Sequence, residues 1–163
     1  MFRSLLSLPV VLALAVAATP ATAAQTTAAT SVTIIKPVVL AKLQDLDFGT
    51  LTFASFAGTR TIVLSRAGAV TCATDIVCSG PTKLARFNVQ GTNNKVVLIS
   101  VTGGTLSNGT DNIPFTADAP ASVTLTSSGV PGNNFDVGGS ISVAGNLIGG
   151  LYSGTITVTT DYQ

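Results

Sequence analysis

The sequence predicts an all-β domain, folded as a two-sheet β-sandwich of the immunoglobulin type. Apolar residues come in short runs rich in Val, Ile, Thr and Phe, and no stretch keeps a helical period. Gly, Asn, Pro and Ser separate these runs at short intervals, as turns separate strands. About eight short strands with regular turns are typical of a sandwich, and a closed barrel is the structural alternative.

Several short segments have the composition of strands, and apolar residues alternate with hydroxyl residues most clearly in 121–126. Several dipeptides predict turns, because their residues tolerate positive φ. They include Gly103-Gly104, Asn108-Gly109, Gly138-Gly139 and Gly149-Gly150. The predicted strands are 32–43, 51–53, 61–64, 84–89, 96–101, 113–116, 122–126, 140–143 and 151–160.

Residues 1–23 have the layout of a secretory signal peptide. Arg3 supplies the positive start, an apolar run covers 5–18, and Ala21-Thr22-Ala23 has the small-x-small pattern of a cleavage site. The run is shorter than the roughly 20 residues of a spanning helix. We therefore expect an exported protein whose mature chain has no membrane span. The rest of the chain divides into 24–37, an N-terminal extension or first strand, and 38–163, the sandwich domain.

The composition excludes several classes of function. Charged residues make up 9% of the chain, with Lys plus Arg 8 and Asp plus Glu 7, so nucleic acid is not an expected partner. The sequence has no His and no Glu, the two commonest acid–base side chains besides Asp. Asp45 and Asp47 are interpreted as exposed strand-end residues rather than a carboxylate pair. We expect no enzyme, no catalytic residue, no metal site and no cofactor.

Cys72 and Cys78 are predicted to form a disulfide. An even number of cysteines in an exported chain favours this pairing. A metal site would need further ligands, and a catalytic thiol would need a neighbouring base; the sequence has no histidine for either role.

The segment after the leader has two interpretations. Residues 24–30 are small and polar, and then Val32 and Ile34 alternate with Ser31, Thr33 and Ile35 before the break at Pro37. The stretch is either the first strand of its own domain or a donor strand that adds to another domain. As a donor, it would insert Val32 and Ile34 into its partner.

The C-terminal segment has the most informative pattern. Tyr152, Ile156, Val158 and Tyr162 share one face of a predicted strand that continues to the end of the sequence. With a penultimate aromatic residue and Gly150 fourteenth from the end, it resembles the C-terminal motif of pilus subunits from chaperone–usher systems. That resemblance implies a groove beside the last strand. In such pilus subunits, a periplasmic chaperone fills this groove first, and the N-terminal extension of the next subunit replaces the chaperone at an outer-membrane usher.

Three further motifs resemble those of a bacterial family of exported proteins, domain of unknown function DUF4402. They are Leu46-Asp47-Phe48-Gly49-Thr50, Phe135-Asp136-Val137-Gly138-Gly139 and Tyr152-Ser153-Gly154-Thr155-Ile156-Thr157-Val158. The resemblance covers most of the mature chain and implies an exported, pilin-like immunoglobulin domain with no established activity.

These patterns predict a structural subunit of an extracellular fimbria or similar surface fibre. Its copies would associate head to tail by strand complementation, after passage through the periplasm to the cell surface. The alternative is a monomeric exported binding module for surface carbohydrate or protein, without catalytic activity. The sequence has no Trp and only 2 Tyr, which leaves few aromatic platforms for a carbohydrate.

Overall fold

A computed structural model of the chain describes residues 22–163. The chain divides between Thr33 and Ile34 into two units, and the second unit, residues 34–163, is the folded domain. Residues 22–33 have no secondary structure and are exposed. The predicted signal peptide lies outside the described residues, except for its last two positions. No helix in the described range has the length and apolar character needed to cross a membrane.

The domain consists of short antiparallel strands joined by turns, and its described residues contain no helix. The strands in chain order are β1 (Val39–Gln44), β2 (Thr50–Phe53), β3 (Thr59–Leu64), β4 (Val70–Thr71), β5 (Ile76–Ser79), β6 (Ala85–Gln90), β7 (Val96–Thr102), β8 (Gly104–Ser107), β9 (Asn112–Asp118), β10 (Ser122–Thr124), β11 (Asn133–Ala144) and β12 (Thr157–Tyr162).

The strands form three sheets. The largest has the order β1-β6-β11-β3-β4, with β9 paired to β11 and β8 paired to β9. The second sheet has the order β10-β7-β12, and β2 and β5 form a separate ribbon. This architecture confirms the predicted all-β sandwich. The barrel alternative is wrong, because β1 and β12 each have a single partner strand among the described residues and the sheets stay open.

The core consists of two clusters of buried apolar side chains, and Leu46, Ala117 and Ile156 pack against both. Phe87 and Phe135 stack in the first cluster with ring centroids 5.5 Å apart. The first core cluster contains Ala85, Phe87, Val89, Val97, Ile99, Leu125, Phe135 and Val137. The second core cluster contains Ile62, Ile76, Ile113, Phe115, Ile141 and Val143.

The step Gly138-Gly139 lies inside a strand, so its prediction as a turn is wrong. The predicted strand 140–143 is the second half of β11. The first half of β11 pairs with β6, and the second half pairs with β3 and β9. A Cβ at Gly138 would overlap the carbonyl oxygen of Leu64, and one at Gly139 would overlap that of Thr116. These glycines allow close backbone packing where the strand changes partners.

Both chain ends depart from the predicted strands. The predicted strand 32–43 begins only at Val39, and the predicted strand 151–160 becomes regular only at Thr157. Pro37 has no N–H for a ladder hydrogen bond, which is consistent with a strand that begins after this residue. The short strands β4, β5 and β8 were not predicted from the sequence.

Candidate functional site: an apolar groove

A groove with a cavity volume of about 1120 Å³ opens into the core of the domain. We call residues 44–53 its first wall and residues 147–156 its second wall, ten residues each. The first wall continues from β1, and the second wall leads into β12. Both core clusters contribute to the apolar floor, which consists of Ala85, Phe87, Leu106, Ile113, Phe115, Ile141 and Val143.

The first wall is fixed around Asp47. Its backbone forms a bridge with Lys83, with N–H to oxygen distances of 2.8 and 2.9 Å. The Asp47 carboxylate also accepts a hydrogen bond of 2.9 Å from the Gly49 amide, which closes a tight turn. Gly49 has φ +76°, and a Cβ there would lie 2.7 Å from the Ser79 carbonyl oxygen, so only glycine fits. The exposed Asp47 therefore has a structural part in this wall.

The second wall is held by a backbone bridge to β8 and by hydrogen bonds that involve Asp111 and Tyr152. Ser153 and Ser107 form a backbone bridge of 2.8 and 3.1 Å. The Asp111 carboxylate accepts the Ile148 N–H at 2.9 Å, and the Tyr152 hydroxyl donates to the Ile148 carbonyl oxygen at 2.7 Å. A Cβ at Gly154 would lie 2.5 Å from the Thr105 carbonyl oxygen, so the wall can approach β8 only with glycine there.

The Tyr152 phenol gives these hydrogen bonds a predictable pH dependence. Partial burial, followed by the charge of Asp111 and its contact with the hydroxyl, raises the Tyr152 pKa above 10.0. A raised folded-state pKa means that the protonated phenol stabilises the fold fully below about pH 10 and that this stabilisation is lost as the pH rises through the folded-state value.

We expect the wild type to lose thermal stability relative to Tyr152→Phe as the pH rises above about 10, because the variant has no phenol at position 152 to ionise. Melting temperatures of both proteins below and above this pH test the prediction, and absorbance at the phenolate band follows the ionisation. A difference in melting temperature that stays constant with pH would contradict it.

The predicted disulfide between Cys72 and Cys78 is present, with the two Cα atoms 6.3 Å apart. Cys78 lies in β5 opposite Leu51 of β2, and Cys72 follows β4 directly. Inside the closed loop, Asp75 accepts hydrogen bonds of 2.9 and 2.7 Å from the guanidinium of Arg60 in β3. The disulfide thus fastens the β2–β5 ribbon, and with it part of the first wall, to the main sheet.

We expect thiol titration of the unfolded, unreduced mature protein to find no free thiol. Replacing both cysteines by serine should cost only about 2 kcal/mol of global stability, because the closed loop is short. Hydrogen exchange in the β2–β5 ribbon should rise more than in β6, which the disulfide does not hold. Two free thiols in the starting protein would overturn the pairing.

The predicted functional residues fall in three places. Gly150, Tyr152 and Ile156 line the second wall. Val158 and Tyr162 pack against the first core cluster beyond the end of the groove. Val32 and Ile34 lie outside every strand and are 84% and 82% exposed.

Two parts of the groove had no functional prediction. Residues 44–49 supply six of the ten residues of the first wall, and their only signal was the motif Leu46–Thr50 on which the family resemblance rests. Asp111 supports the second wall from a turn 37 residues earlier in the chain, and no local pattern indicates that contact.

The fold and the groove together define a class of protein: an antiparallel β-sandwich with an apolar groove open to its core. Within this class, the family model of domain of unknown function DUF4402 matches residues 38–162, and the chain belongs to that family. Comparison with the curated proteins and with the solved structures found no match. The family membership predicted from the three sequence motifs is confirmed.

Proposed function

We propose that this protein is a structural subunit of an extracellular fimbria or surface fibre that assembles by strand complementation. One copy's N-terminal segment would fill the groove of the next copy. The observation that carries the proposal is the groove itself, because it reaches the core between two walls that adjoin edge strands. The role is structural and includes no catalytic step.

The groove is too large to be an ordinary packing defect. Protein interiors are close-packed, and voids larger than a water molecule are few. Here a cavity of about 1120 Å³ reaches Phe87 and Phe115, which are only 7% and 6% exposed. A strand inserted into the groove would bury apolar surface there, at roughly 1.5–3 kcal/mol for each Val or Ile side chain.

The edge strands that adjoin the two walls provide the backbone hydrogen-bonding groups that such a strand needs. Among residues 22–163, β12 pairs only with β7 and β1 pairs only with β6. The outward N–H and C=O groups of both strands therefore have no ladder partner. An added strand satisfies groups of this kind by β-augmentation, while alternate side chains enter the groove.

Residues 24–35 have the properties of the inserted strand, and we call them the donor arm. They carry no charged side chain, have no secondary structure and are exposed. Val32 and Ile34 fall on one face of an extended chain, and Ser31 and Thr33 fall on the other. At about 3.3 Å per residue the arm spans about 40 Å, which is enough for walls of ten residues.

Insertion of an arm into another copy is a head-to-tail contact. Such a contact uses two different surfaces, so it repeats along a fibre instead of closing into a dimer. The exposed apolar side chains of the second wall, Ile148 and Leu151, would need a cover before assembly. We propose a periplasmic chaperone as that cover and an outer-membrane usher as the place where the arm replaces it, in line with the resemblance to pilus subunits.

The experiment is to concentrate the mature protein, residues 24–163, and to follow its mass by light scattering and its migration on unheated denaturing gels. The proposal predicts a ladder of denaturant-resistant multimers that collapses to monomer on boiling. A protein that stays monomeric at every concentration would favour the monomeric binding module instead.

A further inference from the structure

The hydroxyl group of Tyr162 connects the end of the domain with the base of the donor arm. It donates a hydrogen bond of 2.7 Å to the Lys36 carbonyl oxygen and accepts one of 2.7 Å from the Thr92 N–H. The Lys36 N–H donates to the Thr92 hydroxyl at 2.7 Å. Both backbone groups of Lys36 are therefore held, and Pro37 next to it has a fixed φ.

The surrounding residues leave a fitted space for this hydroxyl. A Cβ at Gly91 would overlap the Tyr162 oxygen and lie 2.8 Å from Leu125, so the space depends on glycine. The Tyr162 ring packs against the first core cluster, and the Gln163 N–H donates to the Val96 carbonyl oxygen at 3.0 Å. The tyrosine is thus held from its ring and from its backbone.

We propose that Tyr162 is a positioning residue that fixes the joint between successive subunits of the fibre. This inference rests on the proposed function. With Ile34 inserted in the neighbour's groove and Lys36 held on its own domain, only Ile35 remains between two folded domains. Without the Tyr162 and Thr92 contacts, the free span would extend over 35–37, up to Val38, which packs against the first core cluster. The hydroxyl therefore sets the stiffness of the fibre without contributing to the strand exchange itself.

The test compares fibres of the mature wild type with fibres of a double variant, Tyr162→Phe with Thr92→Ala. Ser128→Ala is the matched control, because it removes a hydrogen bond of 2.9 Å to the Asn93 N–H at the same end of the domain and leaves both contacts to Lys36 backbone groups intact. Electron microscopy gives the persistence length, and unheated gels give the amount of multimer.

We expect the double variant to form multimers as the wild type does, with a persistence length at least about twofold shorter, because a three-residue span is more flexible than a single residue. The control should match the wild type. In the monomer, Tyr162→Phe alone should speed hydrogen exchange of the Lys36 amide, although its acceptor Thr92 remains.

Three results would count against the proposal in different ways. Double-variant fibres as stiff as the wild type would overturn the joint and leave the fibre function standing. Unchanged Lys36 exchange in Tyr162→Phe would show that the hydroxyl does not hold the arm, and would also overturn the joint. A wild type that forms no multimer would overturn the fibre function, and the joint with it. Melting temperatures of all variants show that each remains folded.

Discussion

Replacing Val32 and Ile34 together by aspartate is expected to abolish multimers while the domain stays folded. Both side chains are more than four-fifths exposed, at 84% and 82%, and changes at exposed positions usually alter stability by no more than about 0.5 kcal/mol. On insertion, however, two carboxylates would have to enter an apolar groove without partners. Burying an unpaired charge is prohibitive, so each insertion should fail. Unheated gels and thermal melting of the same samples measure both effects.

The chain offers a matched control on the other face of the same stretch. Aspartates at Ser31 and Thr33 add the same charge, but in an inserted strand these positions face away from the groove. This control should retain most of the ladder. Equal loss in both variants would mean that charge alone prevents assembly. Unfolding of the Val32 and Ile34 variant would show that the stretch belongs to its own domain.

Deletion of residues 24–35 should have the same outcome as the double aspartate variant. The shortened protein should be exported and accumulate as monomer or as chaperone-bound subunit, because its groove is intact. A large loss of thermal stability on deletion, with no multimer in the intact protein, would remove the case for a donor arm.

The second large effect is expected in the second wall, from aspartates at Ile148 and Leu151. These side chains line the groove and are 57% and 85% exposed, so the free monomer should tolerate the change. An incoming strand would lose two apolar contacts of roughly 1.5 kcal/mol or more each and meet two charges. Since about 1.4 kcal/mol is a tenfold change in affinity, strand capture should weaken by at least about 100-fold.

Aspartates at Leu98 and Val130 serve as the control, because these side chains are 46% and 83% exposed and neither lines the groove. A mixture of the second-wall variant and the Val32 and Ile34 variant gives a sharper test. The wall variant can still donate its arm, and the Val32 and Ile34 variant can still accept one. Together they should form one-to-one dimers and nothing larger. Longer multimers from the mixture would contradict the head-to-tail scheme.

The sequence predicted the central strands well, because their signals are local. In β7 and β9, β-branched and aromatic residues lie between clear turn residues, so the predicted and observed segments overlap closely. Gly138-Gly139 misled the prediction because glycine serves close packing as well as turns, and only the partner strands decide between the two.

The candidate site was harder to predict, since it depends on contacts between distant segments. Neither wall is a continuous regular strand, so periodicity could not reveal that 44–53 faces 147–156. The alternation at Val32 and Ile34 predicted a strand-forming stretch, but it did not indicate whether this stretch pairs with its own chain or with another copy. Tyr162 was predicted to belong to the C-terminal motif. Its hydrogen bond to the Lys36 carbonyl oxygen, 126 residues away, has no sequence signal.

The place where the donor arm joins its domain determines how a fibre would carry mechanical load. The arm is anchored to its domain at Lys36, so tension on the fibre would pull the inserted strand along its own axis. Ladder hydrogen bonds lie across the strands, so such a pull loads them in shear and all at once. A sideways force would instead peel the strand from one end and break the bonds one after another. Fibres of this design should resist stretching far better than bending at the junctions.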